Sequence, residues 1–377
     1  MSGSEKSECY KSNSEVTQAA PFKNPALMTG FFVSVNQTGV ERMTENNLAG
    51  LLLAWYEQHG RELPWRVKGG AHPDPYVILV SELMLQQTTV KTVIPYFHRF
   101  MKRFPSVKDL AEATQEEVYF YWQGLGYYTR ARSLHATARL VMEKFNGRFP
   151  EKREDVLKLK GIGPYTVASF LALAFNQPET VVDGNVIRVI SRLFRLTEPV
   201  SEILPQIREK AAGLTDRTRP ADYASAIMDL GAMICTPKNP QCLLCPWQEH
   251  CLSKTDPGLE EIPRRGKPAK KVKNGYVYLL SNRNGEIFIR KRTEKGLLSG
   301  LYEFPWSDGA QLFQDAKDTG CEVSHTFTHF KLILKICLLQ QENCPEAGMF
   351  IRPENLSAYP VSTLMKKVYQ AALKNVF

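Results

Sequence analysis

No stretch of this 377-residue chain approaches the roughly eighteen apolar residues that a membrane-spanning helix needs, so we expect no membrane partner. We also expect no secretion signal, because the apolar run Phe31-Phe32-Val33 is too short for a signal-peptide core. The acidic residues of this region argue against a transit peptide. Residues 1–44 are rich in Ser, Asn, Thr and Glu without periodicity, and we expect a disordered tail there. The sequence leaves two possibilities open: these residues have a role of their own, or translation starts instead at Met43.

The chain also lacks the cysteine distribution of a secreted disulfide framework. Of its eight cysteines, four are scattered and four form one compact array, namely Cys235, Cys242, Cys245 and Cys251. The spacing C-x6-C-x2-C-x5-C favours a metal site and a reducing compartment, although spacing alone leaves zinc and an iron–sulfur cluster open. We therefore expect an intracellular protein, which would be cytoplasmic and nucleoid-associated in a bacterium.

The charge balance is strongly basic. The net charge is +9 and the isoelectric point is near 9.0. A polyanionic partner is therefore plausible, but charge alone does not separate nucleic acid from a membrane surface.

Residues 45–255 have the apolar periodicity of helices and predict an all-α domain. One predicted helix, Tyr76 to Thr92, is nearly continuous in apolar residues, and Glu82 lies inside that run. A carboxylate on a mostly buried helix must be paired, protonated or functional. The alternative interpretation is that Glu82 occupies one solvated stripe of the helix.

The centre of this domain is a glycine hairpin followed by an acidic turn. Gly161 and Gly163 bracket one apolar residue, and Pro164 then stands where the next helix should begin. The unpaired N–H groups of such a helix N-terminus suit a phosphate. Asp183 follows twenty residues beyond Gly163, in the turn Val182-Asp183-Gly184-Asn185. Asp183 could instead be a helix N-cap, and the hairpin an ordinary turn between helices.

A second glycine turn ends an aromatic helix at Gly124-Leu125-Gly126-Tyr127-Tyr128. We expect its two glycines to expose Leu125 and Tyr127. The next helix has a basic side that contains Arg130, Arg132 and Arg139. Those arginines either form a solvated face or contact phosphates.

The composition and the period both change after the cysteine array. Residues 256–274 are rich in proline, glycine and basic residues, and predict a linker that could also lie along DNA. Alternating apolar residues then flank Asn284-Gly285, which predicts a hairpin, and Val361 to Leu373 predicts an amphipathic helix. The last hundred or so residues, 275–377, are therefore expected to form an α+β domain.

From about Leu48 onward the chain resembles MutY-type adenine DNA glycosylases of the helix-hairpin-helix superfamily. The blocks that carry the resemblance are ELMLQQT (82–88), GLGYY (124–128), GIGPY (161–165), VDGNV (182–186), MDLGAMIC (228–235), the four clustered cysteines, GLLSGLYEFP (296–305) and HTFTH (325–329). This likeness implies an all-α glycosylase core with a [4Fe-4S] cluster module held by those cysteines. It also implies a C-terminal Nudix-like domain, and because that domain lacks the glutamate-rich Nudix box, we expect it to recognise rather than hydrolyse.

The expected reaction is hydrolysis of the N-glycosidic bond of adenine opposite 8-oxoguanine or guanine in double-stranded DNA, by a monomer. Glu82 would protonate adenine N7, because an apolar helix should raise its pKa. Asp183 would stay ionised and stabilise the sugar cation. The resemblance adds Tyr165 and Asn185 as residues that position water or Asp183.

DNA-binding residues are implied by the same resemblance. Gln87, Leu125 and Tyr127 would fill the gap and wedge the opposite strand, while Gly161 and Gly163 would hold the DNA backbone. The residues expected to read the opposite base are Thr88, Phe327, Thr328 and His329.

Four departures from the family pattern accompany these matches. The loop between Arg66 and Pro75 is longer than usual, and Lys160 replaces the proline often found before the hairpin glycine. Tyr302 stands where tryptophan is frequent, and Thr328 where serine is usual. Only Thr328 bears on the expected reading loop. Threonine keeps the hydroxyl of serine and adds a methyl group, so we expect recognition to be preserved or slightly weakened.

Three competing functions remain to be weighed. An endonuclease III-type glycosylase/lyase needs an amine nucleophile two residues after Gly163, and this chain has Tyr165 there. A non-catalytic iron–sulfur DNA-binding protein would not need both Glu82 and Asp183. A Nudix nucleotide hydrolase would need a carboxylate array for Mg²⁺, which the C-terminal third lacks.

Overall fold

The computed structural model describes residues 45–67, 73–264, 266, 271–294, 296–344 and 347–375, apart from the side chains of 45–47 and 375. Its first part is helical. The α-helices are α1 Glu45–His59, α2 Pro75–Leu85, α3 Val90–Arg103, α4 Val107–Glu112, α5 Gln115–Trp122, α6 Tyr128–Phe145, α7 Arg153–Val156, α8 Pro164–Phe175, α9 Gly184–Leu193, α10 Val200–Leu214 and α11 Pro220–Asp229. A π-helix, Leu230–Ile234, continues α11, and 3-10 turns follow at Cys242–Leu244, Gln248–His250 and Leu259–Glu261. The predicted tail, 1–44, lies outside the described residues.

Helix α2 is shorter than predicted. Asp74 caps it by accepting a hydrogen bond from the Tyr76 N–H at 2.8 Å, and the helix ends at Leu85 rather than running on to Thr92. The reason is Gln87, whose φ of 60° is incompatible with a right-handed helix. A polar turn therefore separates α2 from α3, at the position where the apolar sequence becomes polar.

The glycine hairpin joins α7 to α8. Gly161 has a φ of 74°, and a Cβ there would lie 2.4 Å from the Ser133 Cβ of α6, so both the backbone and the packing require glycine. Gly163 is extended, with a φ of −95°, and it has open space around its Cα. The hairpin is fixed to α6 by the Lys160 N–H, which donates to the Thr137 hydroxyl at 2.9 Å.

Two apolar cores build the helical domain. One is formed mainly by α2, α3, α5, α6 and α8, and the other by α1, α9, α10 and α11. Trp247, from the cysteine-rich segment, is buried in the second core and donates its indole N–H to the Leu48 carbonyl at 2.8 Å. Glu82 belongs to an element of the first core and Asp183 to one of the second. The catalytic candidates therefore meet where the two cores adjoin.

The second part of the chain is a mixed sheet covered by a helix. Its strands are β1 Lys271–Ser281, β2 Ile287–Lys291, β3 Tyr302–Glu303, β4 Trp306–Ser307, β5 Lys317–Thr326, β6 Phe330–Gln340 and β7 Gly348–Ile351. The order is β3-β2-β1-β6-β5, with β4 paired to β1 and β7 to β2. The central strands β1 and β6 are parallel, in register from Lys271–Phe330 to Ser281–Gln340. Helix α12, Thr363–Asn375, packs on one face and follows a 3-10 turn, Pro353–Ala358.

The predicted linker, 256–274, is too long. Its first part packs on the helical domain, because the Arg192 guanidinium donates to the Ile262 carbonyl at 3.1 Å and the Val200 N–H donates to the Arg264 carbonyl at 3.3 Å. Its last part belongs to the sheet, since β1 begins at Lys271. The alternating apolar pattern that marks the sheet starts later than the strand, which explains why the sequence placed the boundary at 275.

The sheet domain contacts the helical domain through the segment before β3. Leu301 is buried in the first helical core, and Gly300 lies so close to Tyr119 that a Cβ would be 2.8 Å from its ring. Lys291 and Glu116 form an ion pair at 2.9 Å across the same boundary. The helical core is therefore partly completed by the other domain. Among the described helices, none combines the length and the apolarity that crossing a bilayer would require.

Candidate active site

A cleft of about 1540 Å³ opens between the two helical cores. It is lined by side chains from α2, α8, α9 and α11 and by the turn after α2. Six of the predicted residues are among them: Glu82, Gln87, Thr88, Tyr165, Asp183 and Asn185. The structure therefore brings into one cleft the carboxyl groups of Glu82 and Asp183, which lie 101 positions apart in the sequence.

Glu82 is buried rather than solvated. Its side chain lies on the apolar helix α2 with 7% exposure, and the Ser169 hydroxyl of α8 donates to its Oε2 at 2.6 Å. Burial raises the pKa of Glu82 to about 7, and the Asp183 charge adds to this, while the Ser169 hydrogen bond and the Arg66 charge oppose it. A carboxyl group in this position keeps its proton up to near-neutral pH and can donate it.

Asp183 is both a helix cap and a member of the site. Its Oδ1 accepts from the backbone N–H groups of Asn185 and Val186 at 2.8 and 2.7 Å, and its Oδ2 accepts from the Asn185 amide at 2.8 Å. The two interpretations of the sequence are thus compatible. Three N–H donors therefore converge on this carboxyl group at the N-terminus of α9.

Tyr165 occupies the second position of α8 and lines the cleft. Burial raises the pKa of Tyr165, and the carboxylates of Glu82 and Asp183 raise it further, so the phenol keeps its proton. The residue therefore presents a protonated hydroxyl in the cleft that Glu82 and Asp183 also line.

Two arginines that the sequence patterns did not single out line the cleft and are held by one buried aspartate. Arg61 and Arg66 line the cleft, and both bind the fully buried carboxylate of Asp229, at 2.6 and 2.8 Å. Burial opposes ionisation of Asp229, but hydrogen bonds and charge from Arg66 and Arg61 lower its pKa overall. The only available signal was an aspartate inside the apolar block MDLGAMIC.

A hydrogen-bonded chain connects Asp183 to the cysteine array. Arg188 donates to the Asn185 amide oxygen at 2.9 Å, to the Gly231 carbonyl at 2.6 Å and to the Cys235 carbonyl at 2.7 Å. Gly231 must be glycine, because a Cβ would lie 2.6 Å from the Asn185 Cβ. The π-helix thus places Gly231, which has no side chain, against Asn185, whose amide group donates to Asp183.

The turns expected to enter the duplex lie beside the cleft. Gln87 is exposed, and Tyr127, at 44% exposure, has a left-handed backbone with φ 49° and ψ 51°. Leu125 was expected to be exposed and is not, since only 6% of it is accessible and it packs in the first core. The prediction failed because the side chain packs among residues of the first core that are distant in sequence. Arg130 is also buried and belongs to no solvated face, whereas Arg139 is exposed.

The hairpin glycines and the predicted reading loop lie outside the cleft lining. Thr328 and His329 are exposed between β5 and β6, and Phe327 packs between His325 and Phe330 with ring centroids 4.7 and 5.0 Å away. The Thr328 hydroxyl donates to the Tyr127 hydroxyl at 3.2 Å. The reading loop therefore touches the turn that carries the exposed tyrosine.

The four clustered cysteines have the donor chemistry of a metal site. All are free and partly buried. Burial raises the pKa of Cys242 and Cys251, and that of Cys245 to about 12, so a bound cation would favour their thiolate forms. The buried Arg192 lies next to them, with Nη1 3.5 Å from the Cys235 Sγ. Among the described residues no preformed group of three converging ligands occurs, so geometry alone identifies no metal.

Family models match three parts of the chain. Residues 80–212 match the HhH-GPD superfamily of base excision DNA repair proteins, and residues 235–251 match the iron–sulfur binding domain of endonuclease III. Residues 276–371 match the NUDIX domain. The cysteine array thus coincides with an iron–sulfur module, which the four thiolates suit.

Curated relatives extend the likeness over most of the chain. The adenine DNA glycosylase of Homo sapiens is 33% identical over 399 residues, which cover 85% of this chain and 73% of the relative. The adenine DNA glycosylase of Buchnera aphidicola subsp. Baizongia pistaciae is 36% identical over 256 residues, covering 67% and 72%. A solved thermostable thymine-DNA glycosylase is 30% identical with a TM-score of 0.50, and covers 56% of this chain and 96% of its own.

Proposed function

We propose that this chain, which belongs to the adenine DNA glycosylase family, removes adenine from duplexes in which it is paired with 8-oxoguanine or with guanine. As a member of that family, the protein is a monofunctional DNA N-glycosylase of base excision repair and carries an iron–sulfur cluster. The preference for particular pairs and the roles of individual residues are our proposal.

The observation that carries the proposed mechanism is the pair of unlike carboxylates in one cleft. Adenine is a poor leaving group, and breaking its bond to the sugar creates an oxocarbenium-like centre. Glu82, with a pKa of about 7, can protonate the base at N7 as it leaves. Asp183, held by three N–H donors, can stabilise the sugar cation until water adds.

The arginines held by Asp229 support recognition of an extruded base. Arg61 and Arg66 face the cleft, while Asp229 behind them fixes both guanidinium groups. We assign these donors to the polar edge of adenine. Tyr165 and Asn185 complete the site by positioning water and Asp183, and the cluster serves as a structural link among its four cysteines.

Recognition of the opposite base is assigned to the exposed loop of the sheet domain. 8-Oxoguanine differs from guanine by a carbonyl at C8 and an N–H at N7, so a hydroxyl is a suitable reader. Thr328 is exposed and bonded only weakly, at 3.2 Å, to Tyr127. Phe327, His329 and Thr88 are proposed to complete the contact.

The exposed turns and the hairpin are proposed to hold the duplex open. Gln87 and Tyr127 project beside the cleft and can occupy the space that the extruded adenine leaves, whereas the buried Leu125 would support them. Gly163, with open space around it, lets a DNA phosphate approach the start of α8, and Gly161 shapes the hairpin. We further propose that the protein acts as an intracellular monomer.

One incubation tests the function. A labelled duplex with adenine opposite 8-oxoguanine is treated with the full-length protein, and half of each sample then receives alkali. We expect strand breaks only after alkali, because Tyr165 supplies no amine. Breaks without alkali that borohydride converts into a covalent complex would indicate a lyase. Binding without adenine release would indicate a non-catalytic protein, and hydrolysis of free nucleotides a Nudix enzyme.

The reading loop is tested by Thr328→Ala. Losing one hydrogen bond at a desolvated interface should reduce the preference for 8-oxoguanine over guanine by about fivefold or more. Thr326→Ala, in an exposed threonine at the end of the adjacent strand, is the matched control. Single-turnover rates on both duplexes give the ratio. An unchanged ratio in the Thr328 variant would remove this hydroxyl from lesion recognition. Deleting the whole domain is a poorer test, because Leu301 completes the helical core.

A further inference from the structure

Arg130 lies between the two turns that carry the exposed residues Gln87 and Tyr127. It belongs to the first turn of α6 and is only 6% exposed. Burying a guanidinium is costly unless hydrogen bonds and charges compensate for the lost water. The contacts that do so are directed at backbone groups of both turns rather than at a carboxylate.

One side of the guanidinium binds the end of α2. Nη1 donates to the carbonyls of Leu83 and Met84, both at 2.9 Å, and to the carbonyl of Gln86. The last carbonyls of a helix lack partners within the helix and carry the negative end of its dipole. A cation is therefore well placed to terminate α2 and to fix the peptide group that precedes Gln87.

The other side binds the glycine turn before α6. Nη2 donates to the carbonyls of Leu125 and Gly126 at 3.3 and 3.2 Å, and to the Thr88 hydroxyl at 3.3 Å. The guanidinium carbon also lies 5.0 Å from the centroid of the Tyr127 ring. Both the peptide group before Tyr127 and its side chain are thus held by the cation that holds the first turn.

Both exposed residues have left-handed backbones. Gln87 has a φ of 60° and Tyr127 a φ of 49°. Residues other than glycine adopt such backbone conformations only when their surroundings impose them. In each case the carbonyl of the preceding residue, Gln86 or Gly126, accepts a hydrogen bond from Arg130. The same cation therefore imposes both conformations.

We infer that Arg130 is a positioning residue that holds Gln87 and Tyr127 in one fixed arrangement, so that both enter the duplex together when adenine is extruded. This inference rests on the proposed function of those two residues. Extruding a base requires a few kcal/mol of unstacking energy, which inserted side chains offset only if they are correctly placed. Without Arg130 the two turns move independently, and extrusion slows while Glu82 and Asp183 are unaffected.

The test measures extrusion separately from bond cleavage. The adenine opposite 8-oxoguanine is replaced by the fluorescent base 2-aminopurine, and Glu82→Gln is introduced so that the base stays attached. Arg130→Met keeps the apolar stem and removes every donor. We expect it to slow the stopped-flow fluorescence rise by about 10- to 100-fold, the loss that hydrogen bonds to a charged group imply. Arg139→Met is the matched control, because Arg139 on the same helix also donates to two carbonyls, of Ala111 and Ala113.

A second comparison separates positioning from general support of the fold. In a background of Gln87→Ala with Tyr127→Ala, Arg130→Met should slow extrusion by less than about twofold, because nothing is left to position. The full effect in that background, or a normal rate in the single variant, overturns the inference. If Arg130→Met lacks native iron content or melting behaviour, Arg130→Lys replaces it, since one ammonium cannot span both turns. A lysine variant with the wild-type extrusion rate also overturns it. Absence of adenine release by the wild-type protein would instead refute the proposed function.

Discussion

The two sides of the cleft treat a carboxylate in opposite ways. Glu82 lies on an apolar helix, is 7% exposed and receives one hydroxyl donor. Asp183 lies at a helix N-terminus and receives three N–H donors. The Glu82 side therefore withholds solvation and keeps a proton up to near-neutral pH, whereas the Asp183 side replaces water with fixed N–H donors. A site that needs an acid and an anion at the same pH obtains them by this contrast of environments.

The largest effect is expected when the acid is removed. Glu82→Gln keeps the shape and the Ser169 contact but cannot donate a proton, so adenine release should fall by about 10²–10⁴-fold while duplex binding stays nearly unchanged. Single-turnover excision and equilibrium binding on the same duplex check this. In the wild type the rate should fall as pH rises through about 7, because the protonated form is the active one. Excision at the wild-type rate by the variant would contradict the assignment.

The same substitution should stabilise the protein above neutral pH. The pKa of Glu82 is raised from 4.5 to about 7 on folding, so its contribution to stability is complete below 4.5 and is lost as pH rises through 7. Glutamine carries no charge to bury, and the variant should gain up to about 3 kcal/mol relative to wild type at pH 8. The melting curves of the variant and the wild type should therefore differ clearly at pH 8 and nearly coincide at pH 5.

Asp183→Asn should give a comparable loss of activity but the opposite change in stability. An amide cannot stabilise a sugar cation, and its NH₂ group is a donor that cannot accept the hydrogen bond Oδ2 accepts from the Asn185 amide. We expect destabilisation by about 1 kcal/mol, the usual value of one lost hydrogen bond, because the retained amide oxygen can still cap the helix. Melting and excision assays on one preparation separate the two effects. Stabilisation at alkaline pH, as expected for Glu82→Gln, would show that the two sides do not differ as described.

Local patterns predicted much of this site. The apolar run around Glu82 indicated its burial, and Gly-Asn after Asp183 indicated a turn at the start of a helix. The same reasoning failed where a long-range contact decides the outcome. Leu125 is drawn into the core by its neighbours, and Arg130 is buried because two distant turns offer their carbonyls to it. Neither fact is visible in the periodicity of one helix.

The arginines held by Asp229 illustrate the same limit. Arg66 lies 163 positions from Asp229 in sequence, and no spacing rule joins them. The boundary of the sheet domain was misplaced for a related reason. Lys271 and its neighbours are exposed and charged, and their strand conformation comes from pairing with β6 rather than from their own pattern. Pairing partners, unlike periodicity, become known only from the fold.

Gly231→Ala tests whether Asn185, against which Gly231 packs, is needed to orient Asp183. A Cβ at this position would lie 2.6 Å from the Asn185 Cβ and 3.2 Å from its Cα, and would push Asn185 away from Asp183. A displacement of this kind should reduce excision by about 10- to 100-fold. Gly50→Ala, in helix α1 with open space around it, is the control and should be neutral or slightly stabilising. An active Gly231 variant would mean that Asn185 is not needed to orient Asp183.

The smallest effect is expected when the Ser169 hydroxyl, which donates to Glu82, is removed. The Ser169 hydroxyl donates to Glu82 at 2.6 Å and lowers its pKa against the larger effect of burial. Ser169→Ala should therefore move the alkaline limit of the excision profile upward by roughly one pH unit, because the charged form of Glu82 loses the Ser169 hydroxyl donor. At pH 6 the rate should fall only about 2- to 5-fold, through looser orientation of the acid. Ser191→Ala is the control, since Ser191 is fully buried and its hydroxyl has no hydrogen-bond partner among the described residues. A downward shift would mean that the hydroxyl stabilises the protonated form of Glu82 instead. The difference between the environments of Glu82 and Asp183 would then be even larger than described above.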